Sequence, residues 1–149
     1  MRSIRKAALD DVSAITALDR DFASRGRDEF VRRAAQKGYA FVLEQDGQII
    51  GLGVLEYTFF EHGFISLVYV SPSARRTGAG EMLLRYLVSI CKTRKLFSST
   101  NRSNEPMQAL FTKAGFEPSG VIHNLDPNDP EIVYYKEMET ELRSEINLR

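Results

Sequence analysis

The chain has 149 residues, with 20 Lys and Arg balanced by 20 Asp and Glu, 43% hydrophobic residues, no Trp and a single Cys. That is the make-up of one soluble globular domain, here taken as 1–149, and it excludes disordered, collagen-like and disulfide-stapled chains. The zero net charge removes the surplus of Lys and Arg on which sequence-independent nucleic-acid or anionic-membrane binding rests.

Residues 4–7 read as a short strand, and Asp10 is placed to cap a helix whose apolar positions Val12, Ile15, Leu18 and Phe22 share one face. Asp28 offers a second cap before Phe30, Val31, Ala34 and Ala35, with Gly38 as terminator. The period then changes: 39–44 and 48–57 are strand-like runs joined by Gln45-Asp46-Gly47, a strong hairpin signal. A second reversal is expected at Glu61-His62-Gly63, followed by a third strand over 64–70. Ser71-Pro72-Ser73 breaks that strand, and helical spacing of Met82, Leu83, Leu84, Tyr86, Leu87 and Ile90 begins near Gly80.

Downstream, 96–100 is a short strand and Asn104-Glu105-Pro106 starts a helix with Met107, Leu110, Phe111 and Ala114 on its apolar face, closed by Gly115. Strands over 116–122 and 132–138 flank a loop at 124–129, and the charged tail 139–149 is either a frayed end or a short helix. The longest apolar runs, 48–55 and 64–70, are too short to cross a bilayer. No apolar signal core follows Met1-Arg2-Ser3-Ile4-Arg5-Lys6, so a cytoplasmic location is expected, without nucleic-acid or membrane partner. Cys91, in an apolar run, reads as a small buried residue, and one cysteine excludes a multi-thiolate zinc site; no metal is expected.

The segment Val68-Tyr69-Val70-Ser71-Pro72-Ser73-Ala74-Arg75-Arg76-Thr77-Gly78-Ala79-Gly80 runs from a strand through a glycine loop into a helix. The first turn of a helix holds backbone N–H groups without internal partners at the positive end of the dipole, a setting that suits phosphate. Gly78 and Gly80 let a pyrophosphate approach the backbone, while Arg75 and Arg76 add cationic donors. No Gly-x-x-x-x-Gly-Lys-Ser/Thr is present, and Leu83 stands where the dinucleotide fingerprint needs its third glycine, which disfavours P-loop and NAD chemistry.

With Arg75-x-x-Gly78-x-Gly80 after Val68-Tyr69-Val70, and Asn104-x-x-Met107-x-x-Leu110-Phe111-x-x-x-Gly115-Phe116 further on, the sequence resembles the GNAT family of N-acetyltransferases. The resemblance implies a mixed α/β (α+β) fold with a mostly antiparallel central sheet, in which the strands at 64–70 and 96–100 run parallel and splay apart. It also implies acetyl-CoA as cosubstrate. The pantetheine would pair with Val68 and Val70, the pyrophosphate would rest on N–H groups of Arg75, Arg76, Thr77, Gly78, Ala79 and Gly80, and Asn104 and Phe111 would lie beside the cofactor. Asn104 serves equally as a simple helix cap.

The chemistry implied is direct attack of a neutral amine on the thioester, with the oxyanion stabilised by backbone N–H near Val68. The acceptor is an amine of a small molecule or protein, and a homodimer is left open. The family's frequent tyrosine acid is Phe111 here and has no proton to give, leaving Ser103 and Thr112 as lesser candidates. The usual carboxylate position on the central strand falls near Ser66 or Leu67, so Glu56 is the first choice as base, then Glu61 and His62. His123, Asn124, Asp126 and Asp129 border the expected acceptor side, and Tyr57, Phe59, Phe60, Phe64 and Tyr69 form an aromatic cluster. The alternatives are a non-catalytic acyl-CoA sensor, or transfer of another acyl group or to oxygen, on the same scaffold.

Overall fold

The computed structural model describes residues 1–18, 20, 22 and 26–138, so the expectation for the tail lies outside the described residues. Seven strands hydrogen-bond in the order β1-β2-β3-β4-β5-β7-β6, with β1 Arg2–Lys6, β2 Ala40–Gln45, β3 Gln48–Phe59, β4 His62–Val70, β5 Lys95–Asn101, β6 Glu117–Ile122 and β7 Glu131–Glu137. Four helices carry labels here: α1 Val12–Thr16, α2 Asp28–Gln36, α3 Ala79–Ile90 and α4 Glu105–Lys113. By contact density the chain forms two compact units, one of Met1–Leu55 with Leu67–Leu87, the other of Glu56–Ser66 with Val88–Arg149.

In the first unit β1, β2 and β3 pair antiparallel. The turn between β2 and β3 places both Asp46 and Gly47 at positive φ, 52° and 82°, the type I′ geometry that the Asp-Gly pair favours. Ala40, Val42, Leu52 and Val54 pack with Val12, Ile15, Phe22, Val31 and Ala34 into the main core of this unit, while Leu43, Ala79 and Leu83 form a smaller one. Gly51 and Gly53 sit under α3: a Cβ at either would stand 2.9 Å from Leu83 or Leu87.

The capping pattern departs from the sequence reading. Asp10 caps nothing; instead Leu9–Asp11 is a short 3-10 turn in which Asp11 Oδ2 accepts the N–H of Ala8 at 2.7 Å. The Asp11 carboxylate also takes a two-pronged bond from Arg5, which holds it below the usual carboxylate range. α1 stops at Thr16, whose hydroxyl turns back to the carbonyl of Val12, so Leu18 lies beyond this helix. Asp28 is the first residue of α2 and Arg27 its cap, without a side-chain bond; Asp28 and Glu29 act on the dipole rather than as caps. Gly38, at φ 76°, does end α2.

In the second unit, the reversal after β3 comes earlier than expected. Phe60 and Glu61 hold the two left-handed positions, φ 53° and 69°, so His62 and Gly63 already belong to β4 and His62 is buried. β5 and β7 pair antiparallel over seven residue pairs, and β6 lies against β7 with every residue exposed. Phe111 packs with both Phe116 and Tyr134, and Phe59, Phe64, Phe97 and Tyr135 form a second chain of rings. Cys91 is buried as expected, with Sγ 3.5 Å from Thr93 Oγ1. No helix among the described residues is long and apolar enough to cross a membrane.

Candidate active site

In the first unit, Val68 and Val70 are half-buried on β4 and pack against Leu43, Ala79 and Leu83. The strand ends at Val70, Pro72–Ala74 make a single 3-10 turn, and Arg75 folds back: its Nε donates to the Val70 carbonyl at 3.0 Å and its guanidinium lies 5.4 Å from the centre of the Tyr69 ring. The chain then passes through Arg76 and Gly78, both left-handed at φ 62° and 86°, into α3. A Cβ at Gly78 would meet nothing within 4 Å, so the glycine is there for its backbone conformation and not for space in the unliganded protein.

α3 begins at Ala79, one residue before the sequence reading placed it, and its first backbone bond runs from Met82 N–H to the Gly78 carbonyl at 3.0 Å. The N–H groups of Ala79 and Gly80 precede that bond in the first turn, where a helix has no internal acceptor for them, and the positive end of its dipole lies at the same place. Thr77 is held by a residue the sequence reading missed. Arg2, on β1, donates to the Thr77 carbonyl at 3.1 Å and to Thr77 Oγ1 at 2.7 Å, bringing its guanidinium to the loop that also contains Arg75 and Arg76. Nothing in the sequence near Arg2 announces this, because the partner is 75 residues away.

The second unit contains the parallel ladder. β4 and β5 pair over only three positions, Gly63↔Leu96, Phe64↔Phe97 and Ile65↔Ser98, and Ser98 Oγ closes the last one by donating to the Ile65 carbonyl at 2.7 Å. Beyond it β5 continues against β7 as far as Asn101↔Glu131. Ser66, the next residue of β4, is half-buried, and its hydroxyl oxygen is enclosed without a hydrogen-bond partner among the described residues.

Asn104 caps α4, its side chain accepting from Met107 N–H at 3.2 Å, so the capping reading of this residue is realised. Phe111 is 1% exposed and stacked on Tyr134, with centroids 4.7 Å apart and 27° between planes. Burial raises the pKa of the Tyr134 hydroxyl, and that of Tyr135 is pushed up to about 12 by burial and its bond to Glu137. The two lesser acid candidates are already engaged: Ser103 Oγ donates to Asp129 Oδ2 at 2.6 Å and Thr112 Oγ1 to the Gln108 carbonyl at 3.1 Å.

Glu56 is half-buried on β3, and its carboxylate makes no hydrogen bond or ion pair among the described residues. Glu61 is exposed in the hairpin turn. The loop after β6 surrounds a cavity of about 230 Å³ lined by His123, Asn124, Asp126 and Asp129, with Asp126 bound to Asn101 and Asp129 to Ser103. No cluster of ligating side chains suited to a metal ion occurs among the described residues.

Residues 8–116 match the model of the acetyltransferase (GNAT) family. The chain belongs to the GNAT acetyltransferase family. Its fold agrees with that of a GNAT-family acetyltransferase from Bacillus cereus ATCC 10987, with a TM-score of 0.87 and 38% identity over 94% of this chain and 99% of the other. A Bacillus subtilis (strain 168) protein provisionally named ribosomal protein bS18-alanine N-acetyltransferase is 28% identical over 129 residues, 82% of this chain and 85% of its own length. Salmonella typhimurium yncA, solved with its cofactor acetyl-CoA, shares the fold at a TM-score of 0.74 and 19% identity, covering 93% of this chain and 94% of its own. Membership makes this GNAT protein an acetyltransferase, and its sheet, with the parallel pair β4 and β5, is the GNAT sheet.

Proposed function

We propose that this GNAT protein, acting as one catalytic domain over 1–149, transfers the acetyl group of acetyl-CoA directly to a primary amine. The observation that carries the reading is the loop between β4 and α3. There a left-handed Arg76 and Gly78 lead into a helix whose first N–H groups lack internal acceptors, with Arg2, Arg75 and Arg76 around it. A pyrophosphate matches that donor set in charge and geometry.

In this reading the backbone of Val68 and Val70 pairs with the pantetheine, and N–H groups of Arg75, Arg76, Thr77, Gly78, Ala79 and Gly80 bind the pyrophosphate. The Val70 carbonyl is already taken once by Arg75, so Val70 offers chiefly its N–H. Asn104 and Phe111 border the reacting end. The N–H near Val68 stabilises negative charge developing on the acetyl oxygen, and Glu56, which has no structural ion pair among the described residues, takes the proton that the attacking amine sheds. The printed name of the Bacillus subtilis relative makes the amino terminus of a protein the first acceptor class to test.

Isothermal calorimetry with acetyl-CoA, followed by thiol release with a panel of an alanine-initiated peptide, a lysine peptide and a small polyamine, tests the proposal. Binding with turnover on one of these amines supports it. Absence of acetyl-CoA binding refutes it, and binding without turnover on any amine favours an acyl-CoA sensor. Glu56→Gln is expected to lower turnover at neutral pH at least tenfold while leaving acetyl-CoA affinity unchanged; undiminished turnover removes Glu56 as base.

A further inference from the structure

The hydroxyls around the end of the parallel ladder are nearly all committed. Ser98 donates to the Ile65 carbonyl, Ser99 to Glu131 Oε2 at 2.6 Å, Ser103 to Asp129 and Tyr135 to Glu137. Ser66 stands apart. It directly follows Ile65, the last residue of β4 paired with Ser98, and its oxygen is buried with neither donor nor acceptor among the described residues. A buried hydroxyl left unmatched is costly, and such orphans in native structures call for an explanation.

We propose that Ser66 is a catalytic residue whose hydroxyl finds its partner only when acyl donor is bound, donating a hydrogen bond to the sulfur of CoA. This rests on the acetyl-CoA reading above. No hydrogen bond among the described residues holds the hydroxyl, so turning χ1 to another staggered position breaks none. The role is one that Phe111 leaves vacant, since a phenyl ring at 1% exposure offers the departing sulfur packing and no proton.

The step balances without Ser66 losing its proton. The amine nitrogen forms a bond to the acetyl carbon, the carbon–sulfur bond breaks, and the electron pair stays on sulfur. The proton shed by nitrogen passes to Glu56 or water. Ser66 keeps its hydrogen, because a hydroxyl is a far weaker acid than a thiol, and stabilises the thiolate by hydrogen bonding until CoA leaves and takes a proton from solvent.

The first test is a titration of the CoA thiol in its binary complex, followed by thiolate absorbance, which needs no acceptor; turnover is then followed on the amine that the panel above identifies. A donor to the thiolate lowers the thiol pKa. Relative to the parent protein, Ser66→Ala is expected to raise the pKa of bound CoA by about one unit and to lower kcat about tenfold, with CoA affinity at pH 6 unchanged. Ser66→Thr, which keeps the hydroxyl on a residue suited to strands, is expected to restore both. Removing an orphan should not destabilise the unliganded protein, so Ser66→Ala is expected to unfold at the same temperature or higher. An unchanged thiol pKa, or a lower unfolding temperature that reveals a structural partner for the hydroxyl, overturns the proposal. Failure of the parent protein to bind CoA overturns the acetyl-CoA reading together with it.

Discussion

Gly78 separates two effects that are usually confounded in glycine loops. Its φ of 86° is left-handed, and the space around it is open. Gly78→Ala therefore introduces backbone strain without a clash, about 1–2 kcal/mol, which for a chain of this size lowers Tm by roughly 2–8 °C. Gly78→Asp is expected to be the milder change in stability. Asp tolerates the left-handed region better, and a carboxylate just before α3 interacts favourably with the helix dipole, by about 0.3–1 kcal/mol. Binding should rank the two variants the other way. Placed about 8 Å from a phosphate, the added charge costs about 2 kcal/mol at a surface dielectric near 20, a loss of roughly 30-fold in affinity. Gly78→Ala adds no charge, and its affinity loss should stay within a few-fold. Scanning calorimetry gives the stability order, and titration calorimetry with acetyl-CoA in low and high salt gives the affinities. The Asp penalty should shrink at high salt, because the screening length falls from about 10 Å at 0.1 M to about 3 Å at 1 M. If Gly78→Asp binds acetyl-CoA within threefold of Gly78→Ala at low salt, the anion does not lie at this loop and the reasoning fails.

Phe111→Ala empties a fully buried site stacked on Tyr134 and should cost about 3–5 kcal/mol, seen as a Tm lowered by about 10 °C; a fall of less than about 3 °C would mean that Phe116 and Tyr134 close the void. Tyr135, with its pKa pushed up to about 12, holds its proton in the folded state over a range in which an unfolded tyrosine has lost it. Its contribution to stability is therefore complete below about pH 10 and is lost as pH rises toward 12. Tyr135→Phe should flatten that alkaline slope in denaturant titrations at pH 9 to 12, and an unaltered slope would assign it to another group.

What was legible in the sequence was whatever depends on near neighbours. Asp46-Gly47 declares its turn because the pair suits two left-handed residues, and Gly38 ends α2 for a related reason. The run 75–80 reads as an anion loop because all its parts are contiguous. The hairpin at Phe60 and Glu61 was displaced because neither side chain advertises positive φ; the neighbouring His62-Gly63 looked like the better turn, although both residues are drawn into β4. The acidic residues at 10 and 28 resemble caps by spacing alone, but the bond to the Ala8 N–H goes to Asp11, where Arg5 also holds the carboxylate. The bond of Arg2 and the unmatched hydroxyl of Ser66, a residue the sequence offers only as an unsuitable base, were invisible for a different reason. One acts across 75 residues, and the other is marked by a bond it does not make, which only packing can reveal.

Gly51 and Gly53 give β3 a bare stretch of backbone against which Leu83 and Leu87 rest directly. The absence of a Cβ at these two positions leaves room for the ends of those leucines. The two positions differ in what would give way: a Cβ at Gly53 meets only the ends of Leu87 and Leu83, which can turn aside, whereas one at Gly51 also meets the Tyr69 carbonyl at 3.0 Å, part of the backbone of β4. Gly51 is thus the less replaceable of the two, because the neighbour that would have to yield is main chain and not a side chain.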